Sequence, residues 1–267
     1  MGEKQTLEPR LRFPEFRKAG KWEQKFLGTV CKTFSGGTPS STNKMYYGGD
    51  IPFIRSAEID RDHTELFLTE LGLRESSAKI VEKGDVLYAL YGANSGEVAI
   101  ARIRGAVNQA ILCLQSRDNN SFIYQFLFFN KLWIIEKYVQ GGQGNLSGEI
   151  IKSIQIPFPA LEEQRKIADC LSSLDALITA QADKIDTLKT HKKGLMQQLF
   201  PREGETIPRL RFSEFRDAGE WNRTTLGEIA KIASGGTPIR SEPAYWGGSI
   251  PWITTSLIDF NRIENAE

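Results

Sequence analysis

Cysteine, histidine and long apolar runs are all scarce in this 267-residue chain, and each scarcity excludes something. The three cysteines, Cys31, Cys113 and Cys170, share no Cys-x-x-Cys spacing and cannot all pair. That argues against a disulfide framework or a structural zinc and predicts a reducing, cytoplasmic setting. Two histidines, His63 and His191, are too few for a multi-histidine metal site and make a Ser-His or Cys-His triad hard to build. The densest apolar stretches, 126–129 and 134–135, are broken by Asn130, Lys131 and Glu136 and fall far short of the ~18 residues of a membrane span. Met1 to Arg12 mixes both charge signs without an apolar core, so no secretion signal is expected there. Net charge is only +1, from 34 basic and 33 acidic residues, so a nucleic-acid face would have to be a local excess.

Motifs of catalysis are missing as well. There is no phosphate-binding Gly-x-x-x-x-Gly-Lys-Ser/Thr loop, no Gly-x-Ser-x-Gly elbow and no His-Glu-x-x-His pair. No Pro-Pro occurs, which removes the Asn/Asp-Pro-Pro-aromatic loop of DNA amino-methyltransferases. Glu23-Gln24-Lys25 has the Glu-x-Lys form of some nucleases, but no upstream Pro-Asp supports it. The residues predict no catalytic group and no metal ligands.

What is present is a duplication. Pro9-Arg10-Leu11-Arg12-Phe13 returns as Pro208-Arg209-Leu210-Arg211-Phe212, and the match continues without a gap to Asp60 and Asp259. Of these 52 positions 27 are identical, where average composition gives about three. A spacing near 200 residues suits whole domains, not a solenoid. The second copy stops after about 60 residues, too few to bury a stable core alone. Residues 208–267 are therefore expected to be the least ordered part or to borrow support.

The first copy reads as mixed α/β. Asp85 to Tyr91, Val98 to Ile103 and Ala110 to Leu114 are expected strands, the last two joined around Gly105. Asn120 or Ser121 is expected to cap a helix running to about Val139, with Phe122, Phe126, Phe129 and Trp133 in the core. After Pro159 the apolar positions Ile167, Leu171, Leu174, Ile178, Ile185, Leu188, Leu195 and Leu199, with Gln181 and Lys192 between them, step by four and three. This is a coiled-coil seam on a helix of about 57 Å from Glu162 to Leu199, stopped by Pro201. The fold class is thus a globular α/β head followed by a long α-helix. Its expected boundaries are 1–158 for the head, 159–200 for the helix, 201–207 for a linker and 208–267 for an incomplete second head.

Three loops combine glycines with amides and hydroxyls: 35–41, 91–96 and 140–147. Glycine allows close backbone approach and these side chains can pair with bases or phosphates, although tight turns account for the same glycines. Lys32, Lys44, Arg55, Lys79 and Arg102 could supply phosphate contacts, and each could equally be a solvated surface charge.

Several ordered motifs give the chain a family likeness. They are the opening Pro-Arg-Leu-Arg-Phe-Pro-Glu-Phe, Leu27-Gly28 with Ser35-Gly36-Gly37-Thr38-Pro39, the Gly-Gly-Asp-Ile-Pro-Phe-Ile run at 48–54, and Gly84-Asp85-Val86-Leu87. Val107-Asn108-Gln109-Ala110, Asn145-Leu146-Ser147, Ile156-Pro157-Phe158-Pro159 and Leu161-Glu162-Glu163-Gln164 through Leu199-Phe200 complete the set. Carrying these, the chain resembles the specificity (S) subunit of type I restriction-modification systems. The resemblance implies target recognition domains that each read half of a split site in double-stranded DNA, separated by long antiparallel helices. It implies docking of a modification (methyltransferase) subunit and, through the complex, a restriction subunit. S-adenosylmethionine, ATP and Mg would belong to those partners, and this chain would catalyse nothing. Against the family pattern, the second recognition domain is cut short and the second long helix is missing, as in a naturally or deliberately shortened subunit. A seam without its intramolecular partner is then expected to pair with another copy as a two-fold antiparallel homodimer. Base contacts are expected at Ser35, Thr38, Ser56, Asn94, Ser95, Gln143 and Asn145, with Lys32, Lys44, Arg55 and Lys79 on phosphates. The rival readings are a stand-alone DNA-modifying enzyme and a purely structural coiled-coil scaffold.

Overall fold

The computed structural model describes residues 6–138 and 145–255 and divides into two compact units, Met1–Asp186 and Thr187–Glu267. In the first unit the strands are β1 (Thr6–Leu7), β2 (Trp22–Phe26), β3 (Cys31–Ser35), β4 (Tyr47–Ile54), β5 (Phe67–Leu68) and β6 (Lys79–Val81). They continue with β7 (Val86–Ala89), β8 (Val98–Ile100), β9 (Gly105–Val107), β10 (Ile111–Ser116) and β11 (Gln155–Phe158). The short helix α1 (Leu27–Val30) joins β2 to β3, and α2 (Glu70–Arg74), N-capped by Thr69, follows β5. Next come α3 (Asn120–Phe129), α4 (Lys131–Tyr138), α5 (Gly148–Lys152) and α6 (Leu161–Leu199).

Among the described residues three sheets result, ordered β1-β2-β11, β3-β10-β7-β8 and β5-β4-β9-β6, of which only the β4–β9 pairing is parallel. The central sheet explains the near-continuous apolar runs at 86–90 and 110–114. Val86, Tyr88, Leu112 and Leu114 point into a core shared with Phe122, Ile123 and Leu127 of α3. Their neighbours Leu87, Ala89, Ile111 and Cys113 point the opposite way, against Ile54, Val81 and Val107. Alternation along a strand serves two cores when both faces are covered, so no polar face survives in the sequence.

Two expected strands are found with shorter bounds, Val86–Ala89 and Val98–Ile100, and the third is shifted to Ile111–Ser116. Val98–Ile100 and Ile111–Ser116 are not consecutive, because Gly105–Val107 intervenes and joins the outer sheet beside β4. The single helix expected after residue 120 needs correction. Its cap is Asn119, whose side chain accepts from the Phe122 amide, and it ends at Phe129. There Asn130 turns its side-chain amide onto the Phe126 carbonyl, a bond that competes with helix propagation. As α4 restarts, only Ile134 of that helix is fully buried. Phe122 lies in the core as expected, but Phe129 and Trp133 do not: Phe129 is 86% exposed, and Trp133 lies edge-on to Tyr138 with the Lys137 ammonium above it.

The long helix runs over 39 residues, one residue longer than its heptads predict. Glu162 and Glu163 occupy its first turn, where carboxylates suit the helix dipole. Glu163 is buried and accepts two hydrogen bonds of 2.7 Å from the Arg12 guanidinium, which also donates to the Ala19 and Gly20 carbonyls. Downstream, the seam side chains Leu174, Ile178, Ile185 and Leu188 are more than half exposed.

In the second unit the repeat recovers its turns but not its strands. Ser213–Phe215, α7 (Leu226–Ile229) and Pro243–Tyr245 match Pro14–Phe16, α1 and Lys44–Tyr46 position by position. No strand forms among the described residues after 200. The reason is pairing: β2, β3 and β4 need β11, β10 and β9, and the sequence holds no second copy of those partners.

Candidate nucleic-acid interface

The first unit gathers some of the expected DNA-contacting residues and commits others to the fold. Ser56 and Asn94 line one open cavity of about 660 Å³ together with Arg61, Arg102, Tyr124 and Phe128. Ser56 opens a turn of 3-10 helix after β4, and Asn94 lies in the 92–96 turn before β8. Arg61 and Arg102 are exposed and form no ion pair among the described residues, so their charge is available to an anion. Carboxylates of Asp60, Glu97 and Asp175 face the same space, and Glu97 is neutralised in part by Lys131 at 2.5 Å. The cavity thus presents guanidinium, amide, hydroxyl and aromatic groups within one concave wall, a set that fits phosphate and base edges. Sequence reasoning places Arg102 among possible phosphate contacts but misses Arg61, for which a lone surface arginine gives no distinguishing signal.

Arg55 is differently occupied. Its guanidinium bonds both oxygens of buried Glu58 at 3.0 and 2.9 Å and Glu65 at 2.6 Å. Burial alone would lift the Glu58 carboxyl, but Arg55 and the backbone amides of Glu65 and Arg55 outweigh it and hold the group down at about 2. This knot fixes the loop that carries Ser56 and Arg61.

The glycine-rich loop at 35–41 is built into the fold. Gly36 lies so close to the Val107 carbonyl that a Cβ would stand 1.8 Å from its oxygen, and at Gly37 a Cβ would meet the Ser77 hydroxyl at 1.9 Å. Gly36 thus serves the close approach of the loop to β9, and Gly37 its approach to Ser77. Ser35 ends β3 opposite Leu112, and Thr38 shares a hydrogen bond with Gln109. In the 91–96 loop Gly96 has φ +87° and abuts Ile135, while the Ser95 hydroxyl donates to the Leu90 carbonyl. Lys32 and Lys44 are exposed, as is Lys79, whose ammonium lies over the Phe34 ring. Asn145 is exposed just ahead of α5, and Gln143 lies outside the described residues.

Burial pushes the Cys31 thiol up to about 12 and raises that of Cys113, whose sulfur sits 3.6 Å from Asp85, so both stay protonated. Among the described residues no cluster of His, Cys, Asp and Glu is arranged to hold a metal ion, and no helix is long and apolar enough to cross a membrane.

Comparison with known proteins bears on what such a head and helix do. A family described as "Type I restriction modification DNA specificity domain" matches residues 19–190. Two specificity subunits of Methanocaldococcus jannaschii are similar over most of the chain. The type I restriction enzyme MjaIX specificity subunit is 28% identical over 246 residues, covering 87% of this chain and 57% of the relative. The MjaVIII specificity subunit is 28% identical over 231 residues, covering 84% and 52%. The chain therefore spans little more than half the length of these relatives. Among solved structures, the S subunit of a type I restriction-modification system from M. genitalium shares the fold, with TM-score 0.51 and 18% identity over 71% of this chain and 48% of that one.

Proposed function

The chain belongs to the family of type I restriction-modification DNA specificity domains, and from that premise we propose that it supplies sequence specificity to a DNA methyltransferase complex without catalysing a reaction itself. In this reading residues 1–158 are a target recognition domain for one half of an interrupted duplex site. Residues 159–200 space the half-sites and dock the modification subunit, through which a restriction subunit joins. Residues 201–207 link to 208–267, the opening of a second recognition domain. S-adenosylmethionine, ATP and Mg are assigned to the partner subunits, and the whole assembly to the cytoplasm.

The observation that carries the reading is the family match across both head and helix, from residue 19 to 190. The cavity beside Ser56 and Asn94 supports it, with Arg61 and Arg102 for phosphates and the amide and hydroxyl for bases. Ser35, Thr38, Ser95, Gln143, Asn145, Lys32, Lys44 and Lys79 complete the proposed DNA contacts, while Arg55 holds the loop. The exposed seam side chains Leu171, Leu174, Ile178, Ile185 and Leu188 support pairing with a second copy as an antiparallel homodimer, which would present two identical heads to a symmetric, interrupted sequence.

The test is co-expression with a type I modification subunit, followed by sequencing of methylated positions. Methylation confined to one interrupted motif, and absent when either chain is expressed alone, is the expected result. Methylation by the isolated chain, or by the complex without any shared motif, would overturn the reading.

A further inference from the structure

The two copies of the repeated segment meet different parts of the long helix. In the second unit Leu210, Phe212 and Trp221 line a cavity of about 610 Å³ whose wall includes the helix end Leu199-Phe200. Trp221 meets Phe200 edge-on at 5.9 Å, and the Leu210 amide donates to the Gln198 carbonyl at 2.9 Å. In the first unit the counterparts Leu11, Phe13 and Trp22 instead surround an apolar cavity of about 440 Å³, floored by Ile167, Cys170 and Leu171 of α6. The Trp22 indole Nε1 is buried there without a hydrogen-bond partner, and Leu11 is 91% exposed. The same segment thus lines a cavity in both copies, with a helix end in its wall in the second and none in the first.

We propose that this cavity receives the end of α6, residues Gln198 to Phe200, from a second copy of the chain. The inference rests on the antiparallel homodimer proposed above. A helix terminus fits chemically, because its end side chains Leu199 and Phe200 are apolar, like the lining of the cavity. Register fits independently. The seam positions 167, 171, 174, 178, 181, 185, 188, 192, 195 and 199 step by four and three in a pattern that reads the same from either end. An antiparallel copy centred on Asp183 therefore sets Leu199 opposite Ile167 and Leu195 opposite Leu171, at the cavity floor. Segment 9–22 of one copy and segment 208–221 of the other then claim one helix end. The former prevails because Arg12 already anchors it to Glu163 and β2 ties it between β1 and β11.

Cysteine cross-linking of the full chain tests this. Cys170 and Gln198 are separated by about 42 Å of helix at 1.5 Å per residue, so a disulfide between positions 170 and 198 forms only between copies. Gln198→Cys is expected to give a covalent dimer on mild oxidation, while Gln198→Cys with Cys170→Ser, and the wild type, give none. Leu11→Asp, at an exposed position, is expected to raise the dimer dissociation constant at least ten-fold. A wild type that light scattering shows to be dimeric, yet with no Cys170-dependent cross-link or with Leu11→Asp silent, overturns the cavity assignment alone. A monomeric wild type overturns both this and the homodimer.

Discussion

Glu58 illustrates how a single side chain is assigned its work by its surroundings. Its carboxylate is buried and held by Arg55, with Thr64 at 3.2 Å and the Glu65 amide also donating to it. Its folded pKa, about 2, lies below its ordinary 4.5, so its stabilisation is fully present above pH 4.5 and lost as pH falls toward 2. Because Arg55 is partly exposed and screened by solvent, about 2 kcal/mol is the expected size. Glu58→Gln is thus expected to lower unfolding stability by roughly that amount at pH 7, with the gap from wild type closing near pH 2.5 in urea titrations. A gap unchanged with pH would show that the charge is not its source. From sequence alone Arg55 reads as a phosphate ligand, because nothing local says that a carboxylate three residues on is buried. The Gly36-Gly37 pair is equally undecidable there, since the groups that exclude a side chain, the Val107 carbonyl at Gly36 and Ser77 at Gly37, come from distant parts of the sequence. Residue types were legible; the packing that divides binding groups from structural ones was not.

At the scale of elements, what is encoded locally was legible and what needs a distant partner was not. The turns of the repeat form in both copies, whereas β2, β3 and β4 form only where β9, β10 and β11 exist to pair with them. The long helix was readable almost to the residue, since heptads, an acidic first turn and Pro201 all lie within it or beside it. The break at Asn130 was not, because a side-chain bond to the Phe126 carbonyl competes with helix continuation at a position where propensity says little. The seam makes a prediction at this scale. Ile178 and Ile185 are more than half exposed and far from any core, so Ile178→Asp with Ile185→Asp is expected to abolish self-association by sedimentation. The thermal unfolding of the head should move by no more than ~0.5 kcal/mol in stability, as for surface substitutions. Self-association surviving both changes would place the interface off the seam.

For the whole molecule, a net charge of +1 means that the proposed DNA affinity cannot come from a global field and would have to arise where unpaired cations gather. Arg61 and Arg102 are such a pair, on the wall that also carries Ser56 and Asn94. Replacing both by alanine in the assembled methyltransferase complex is expected to weaken binding to every duplex and to flatten the slope of log K against log salt by about 0.9 for each phosphate no longer neutralised. The methylated motif should stay the same, since phosphate contacts position without reading sequence. Asn94→Ala is expected to act the opposite way, leaving the salt slope fixed and relaxing discrimination at one base pair by ~1–3 kcal/mol. The two outcomes separate charge from readout within one cavity. A salt slope untouched by the double arginine variant would move the DNA face to Lys32, Lys44 and Lys79.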